Sequence, residues 1–198
     1  SSAALWLRDR FLPAWTSQLR LGQSRDELTS DFLDPALNTV SSQLARTKQN
    51  QFVWQNDIDV GHDKLLLAAE RREESVEANT MTYLLGKRVT DSLVGGYQAW
   101  FDAHSLQLSA RRDHSDQYGS HDTGTLAYAY RFASNWRASA SLATAFRAPT
   151  FNDLYWPVDY ASYFVGNPLL KPERAHNREI GLTREDAGQR FAIHAYRN

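Results

Sequence analysis

The run from Asp113 to Asp122 holds Asp113, His114, Asp116, His121 and Asp122 around the short polar stretch Ser115 to Ser120. Carboxylates and imidazoles at this density suit a cation, and calcium takes about six to eight oxygens from converging carboxylates. Asp113, Asp116 and Asp122 are therefore the candidate metal ligands, with calcium as the ion they would hold. Their spacing follows no fixed ligand order, so a solvated polar loop is the competing reading. Six histidines and many serines would also allow a Ser–His–acid arrangement. No G-x-S-x-G elbow accompanies them, so no catalytic residue is assigned and no enzyme is expected. Trp156, Tyr160, Tyr163 and Phe164 cluster with Asp153 and Asp159 in a long connection. Large amphipathic rings around a few polar groups suit capture of a small molecule. The alternative is a loop packing its own rings over a rim.

Composition narrows what scaffold can position such groups. The 198 residues suffice for one domain or for part of a larger one. Cysteine is absent, which excludes disulfides, thiolate zinc sites and cysteine nucleophiles. Lys and Arg number 22 against 23 Asp and Glu, so no basic footprint for nucleic acid exists. No apolar run exceeds five residues, the length of Leu65 to Ala69, far short of the roughly 20 residues of a spanning helix. Ser1 to Leu12 carries Arg8, Asp9 and Arg10 and does not read as a signal peptide. Membrane β-barrels survive these exclusions, because their strands alternate in polarity.

The apolar pattern has period two. Phe52, Trp54, Ile58 and Val60 oppose Gln51, Gln55, Asp57 and Asp59. Leu126, Tyr128, Tyr130 and Phe132 oppose Thr125, Ala127, Ala129 and Arg131, and Ala138 to Phe146 repeats the scheme. Such alternation predicts strands near 14–27, 45–60, 64–74, 90–101, 104–114, 121–132, 136–146, 175–185 and 190–197. Residues 1–13 read as the end of a preceding strand and a turn. The charged run Glu70 to Glu74 reads as a strand end entering a solvated loop. Tight turns at 61–63, 102–103, 133–135 and 186–189 alternate with longer connections at 28–44, 73–88, 115–120 and 147–174. Aromatics near strand ends (Trp54, Trp100, Phe132, Trp136, Phe146, Tyr196) fit an interfacial girdle. The expected fold is all-β, an antiparallel up-and-down sheet of about nine strands forming part of a transmembrane barrel. A soluble sandwich burying the same stripes face to face is the alternative.

The long connection carries a further signal. Phe146-Arg147-Ala148-Pro149, Leu154-Tyr155, Asn167-Pro168-Leu169-Leu170-Lys171-Pro172-Glu173 and Glu179-Ile180-Gly181 occur in order, followed by Tyr196-Arg197-Asn198. This run resembles a hallmark of TonB-dependent outer-membrane receptors. On physical grounds Pro149 ends a strand, because it has no ladder donor. Asn167-Pro168 and Lys171-Pro172 keep the chain extended, and Glu173 leads it back into the sheet. These roles are structural.

The resemblance implies a bacterial outer-membrane location, with the wall facing lipid and external loops that take a scarce nutrient. Family members place a plug domain before a barrel of about 22 strands. All of residues 1–198 would then be a barrel fragment, coupled to the energy-transducing TonB system through a plug it lacks. Its open edges would pair with further strands or with another copy. Phe101 to Phe132 is similar in layout to the cobalamin-receptor branch, through Arg111, Asp113, Gln117, Gly119, His121 and Gly124. A ferric-siderophore receptor is the alternative ligand class. A passive porin and a soluble all-β ligand-binding module are the competing functions.

Overall fold

The computed structural model describes residues 1–34, 38–79, 85–156 and 165–198. They form ten strands and one short helix. The strands are β1 (Ser2–Leu12), β2 (Trp15–Asp34), β3 (Thr39–Val60), β4 (Asp63–Ala78) and β5 (Lys87–Phe101). They continue as β6 (His104–Ser115), β7 (Gly119–Ala133), β8 (Trp136–Arg147), β9 (Glu173–Asp186) and β10 (Gln189–Arg197). Helix α1 (Phe151–Tyr155) lies between β8 and β9. Every strand pairs antiparallel with its neighbour in sequence, leaving β1 and β10 at the two edges. Tight turns at one end use left-handed backbone at Gly61, Asp102, Ala187 and Gly188. The longer connections gather at the other end.

The sheet is inside-out relative to a soluble domain. Among the described residues the buried polar side chains include Thr90, Ser92, Asp113 and Ser115, while buried apolar ones are confined to Val76, Ala99, Ala129 and Leu154. Leu93, Leu67, Leu142, Ile180 and Ile193 stand exposed. The register puts these on one face: Leu65, Tyr97, Leu108, Leu126 and Leu142 follow one another across five strands. The opposite face carries Gln98, Gln107, Ala127, Ser141 and Glu179. A single sheet buries one face more than the other only by curving around it, so the polar face is the concave one. A soluble sandwich would have covered the apolar stripes with a second layer; no such layer exists among the described residues.

A row of rings borders the apolar face at the tight-turn end. Phe101 and His104 stack at 5.1 Å and His104 and Tyr130 at 4.6 Å. The row continues through Phe132 to Trp136, 6.3 Å apart, and Arg184 lies over the Trp136 ring at 5.7 Å. The expected girdle is corrected in part. Trp100 pairs with Ser105, and Tyr196 with Glu179, both on the polar face. Trp54 lies well inside β3, opposite Ala69, where its indole N–H donates to Ser17 Oγ at 3.0 Å.

Three further differences from the alternation have physical causes. Residues 2–12 form a strand of their own, β1, so the described residues make a ten-stranded sheet. Its apolar residues Leu5, Trp6 and Leu7 occupy both faces, which erases the period-two signal. Strands β2 and β3 stay paired out to Asp34 and Thr39, across a stretch expected as a loop. Apolar alternation stops near Leu21, but the ladder runs on for about 40 Å at ~3.3 Å per residue, joined by polar pairs. Glu27 accepts there from Arg25 and Arg46, both at about 2.5–2.6 Å, and these bonds hold its carboxyl below the usual range. Strand β4 likewise reaches Ala78, so Glu70 to Glu74 lies inside a strand, not at its end.

Candidate functional site

The long connections are tied together at their base. Strand β8 ends at Arg147, two residues before Pro149, and the chain turns at once into α1. Thr150 caps that helix: its hydroxyl accepts from the Asp153 N–H at 3.1 Å, while Asp153 accepts the Thr150 N–H at 2.8 Å. This reciprocal pair satisfies two donors that a helix start leaves open. The Thr150 backbone bond, with that of its hydroxyl, holds the Asp153 carboxyl below the usual range. Leu154 is the most buried large side chain among the described residues, 2% exposed, and anchors the helix.

Arg88, at the start of β5, links three connections. Its guanidinium donates to Glu74 at 3.0 Å, to Tyr118 Oη at 2.8 Å and to the Pro149 carbonyl at 3.1 Å. It also lies over the Phe151 ring at 4.9 Å and the Tyr118 ring at 5.4 Å. Burial opposes its charge, but the Glu74 carboxylate outweighs that and raises its pKa. Tyr118 donates to the same Pro149 carbonyl at 2.8 Å, and Gln117 Nε2 to Tyr155 Oη at 2.6 Å. The His121 ring stacks on Phe146 at 4.8 Å. Phe146, Pro149 and Tyr155 of the family-like run thus act together, fixing the exit from β8 to the neighbouring turn.

The return is fixed as closely. The Gly166 N–H donates to the Trp156 carbonyl at 3.0 Å, and the Asn167 N–H to the Asp153 carbonyl at 2.8 Å. A Cβ on Gly166 would sit 2.5 Å from the Trp156 nitrogen, so only glycine fits this neck. Asn167 then folds over its own backbone, accepting the Leu169 N–H at 3.0 Å through Oδ1. Pro168 and Pro172 bracket this step, and the chain re-enters the sheet with Glu173 opposite Arg147 and Arg174 opposite Phe146. Trp156 therefore stands at the neck of the connection. Tyr160, Tyr163 and Phe164 lie outside the described residues.

A second cluster occupies the polar face. Asp113, buried, accepts from Arg111 Nε at 2.8 Å and from the Ser92 hydroxyl. Arg111 also donates to Glu70 at 3.0 Å and to Ser92 at 2.8 Å, and Gln51 donates to Glu70 at 2.6 Å. Four strands, β3 to β6, contribute to this chain of charges. The alternation could have revealed it: Glu70, Ser92, Arg111 and Asp113 all fall on the polar parity of their strands.

The three candidate metal ligands do not converge. Asp113 is engaged as above; Asp116 accepts the Val89 N–H at 3.1 Å. Asp122 lies 3.8 Å from Arg112, on the apolar side of the ladder. Among the described residues no three His, Asp or Glu side chains gather as a metal centre requires. His194 Nδ1 lies 2.7 Å from Glu179, but no serine hydroxyl is bonded to that ring among the described residues.

The family profile described as "TonB dependent receptor-like, beta-barrel" matches residues 6–198. The vitamin B12 transporter BtuB of Photobacterium profundum is 33% identical over 185 residues, spanning 83% of this chain and 28% of that protein. A mutant of the ferric enterobactin receptor PfeA of Pseudomonas aeruginosa superposes with a TM-score of 0.75 at 16% identity, over 98% of this chain and 33% of that one. The copper transporter OprC gives a TM-score of 0.69 at 15% identity, over 98% of this chain and 38% of that one. At such identities these solved structures share the fold alone. The chain spans 28%, 33% and 38% of the length of these three proteins. Members of the matched family are outer-membrane transport receptors. With the profile covering nearly its whole length, the chain belongs to the TonB-dependent receptor-like β-barrel family.

Proposed function

We propose that this chain is a stretch of barrel wall in an outer-membrane receptor that takes up a scarce nutrient with energy supplied by a TonB system. The observation that carries the reading is the exposed apolar face, bordered by stacked rings at the tight-turn end and opposed by a charged polar face. That is the cross-section of a wall between lipid and a wet lumen. The clamped connections at the opposite end supply the capture surface, with Trp156 at the neck of the largest, and Trp156, Tyr160, Tyr163 and Phe164 are the proposed ligand contacts.

The nutrient class we propose is cobalamin. Support comes from the 33% identity to a vitamin B12 transporter. A plug and a TonB contact belong to the proposed whole and not to this stretch. Calcium at Asp113, Asp116 and Asp122 remains a proposal that requires each to give up its present protein partner.

Equilibrium binding of cyanocobalamin to outer membranes bearing the full-length receptor tests this directly. Saturable binding, with uptake abolished by a protonophore, is expected. Binding of ferric enterobactin in place of cobalamin would overturn the nutrient and keep the receptor. Unenergised, non-saturable passage of both would replace the receptor with a porin.

A further inference from the structure

The polar face does not treat its side chains alike. Toward the long connections Gln51, Glu70, Arg111 and Asp113 bond to one another. Near the tight turns Gln98 stands opposite Gln107, Ser105 opposite Ala129, and Ser139 and Ser141 opposite Ala129 and Ala127. The side chains of those two amides and three hydroxyls have no partner among the described residues. The same holds for the indole N–H of Trp100, whose ring stands beside them on a residue 46% exposed. A large ring left bare on a polar face is the informative kind of exposure, since its apolar area gains nothing from water.

These groups line one hollow of about 220 Å³, where the small side chains of Ala127 and Ala129 leave the room. They lie on β5 to β8, with Glu179 of β9 at the far wall, and each of these strands is paired on both sides. The hollow therefore owes nothing to the open edges of the sheet. Along β6, Ser105 in the hollow and Ser115 beside the clamped connections are separated by roughly 33 Å at ~3.3 Å per residue. Glu179 is already engaged, with His194 Nδ1 2.7 Å away. Arg137 brings a charge that has no carboxylate partner among the described residues. An occupant must offer several neutral donors and acceptors, an apolar surface for the indole and at most a single negative charge.

We propose that this hollow is a second station for the nutrient inside the wall, holding a carboxamide-bearing edge of cobalamin after the external loops release it. Cobalamin carries primary carboxamides around a flat ring, together with a phosphodiester. A primary amide presents two donors and an acceptor oxygen, the complement of Gln98 and Gln107. The ring edge meets Trp100, and the phosphodiester meets Arg137. The hollow takes one edge of so large a ligand and not the whole, which suits a weak site passed on the way in. This assignment rests on the cobalamin reading above.

The test titrates purified full-length receptor with cyanocobalamin well past saturation of the capture site. Binding is read by equilibrium dialysis and by fluorescence, with W100F subtracted to isolate Trp100. A second, weaker site should fill and quench Trp100. Q98L/Q107L should weaken that site roughly tenfold, the effect of two lost hydrogen bonds, while the tight site persists. Should Q98L/Q107L fail to fold, S141A alone should weaken it about threefold. Tight binding with no second site and no change at Trp100 would overturn the assignment and keep cobalamin as the nutrient. No cyanocobalamin binding at all would overturn the cobalamin reading, and the station with it. A second site undiminished in Q98L/Q107L overturns the assignment too; a fall in melting temperature in the same variant would then give the hollow to another part of the receptor.

Discussion

Arg88 is where single-residue chemistry has the widest reach. Its side chain is 11% exposed and bonds to β4, to the β6–β7 turn and to the exit from β8 at once. Arg88→Met keeps much of the stem but leaves the half-buried Glu74 carboxylate and the Pro149 carbonyl short of a donor. We expect a local loss of about 1–3 kcal/mol. Amide exchange should rise at residues 151–155 while the strands of the sheet stay protected. The Thr150 cap behaves differently. Because the Asp153 pKa is depressed, its stabilising contribution is fully present above the ordinary carboxylate range and is lost as pH falls through the lowered value. The α1 amides should therefore keep their protection from pH 8 to pH 5 and lose it only in stronger acid. Thr150→Ala should cost about 1 kcal/mol of that protection at neutral pH. An unchanged exchange rate in the variant would show that Leu154 alone holds the helix.

At the scale of the strand, parity decides the outcome of a substitution. Leu108 faces the apolar side and Gln107, its neighbour, the polar side, where it lies opposite Gln98. In a bilayer Leu108→Arg should cost about 2–4 kcal/mol, as an unpaired charge near mid-depth on the lipid face. Gln107→Arg should be nearly neutral. Denaturant unfolding of the two variants in lipid vesicles separates them, and equal costs would mean that the faces are wrongly assigned. The same parity explains why β2 and β3 outran the expected boundary. Hydrophobic alternation marks only the lipid-facing length of a strand, whereas backbone pairing continues wherever polar side chains such as Glu27 and Arg46 can bridge it.

For the described sheet taken by itself, the controlling fact is the pair of open edges. Strands β1 and β10 each have one neighbour, and the exposed flank of β1 includes Leu5, Trp6, Leu7 and Phe11. Unpaired edges with apolar flanks template further pairing. The isolated chain in detergent is therefore expected to associate through its edges, and a monodisperse monomer by light scattering would count against it. In the proposed receptor the same edges would continue into the rest of the barrel wall.

The amino-acid sequence by itself determined the class of fold, because period-two polarity needs no tertiary context to be read. Residues such as Leu126 to Phe132 and Ala138 to Phe146 announce both the strand and the face it shows. It also carried the family, through ordered short motifs whose prolines and asparagine act locally: Pro149 ends a strand, and Asn167 caps its own turn. It did not determine which charges meet. Glu70 and Arg111 lie 41 residues apart and Arg88 and Pro149 61 apart, joined only because register brings them side by side. Nor did it show that Asp113, Asp116 and Asp122, so close along the chain, point to separate partners. Alternation sends neighbours to opposite faces, and the ladder then chooses what each of them touches.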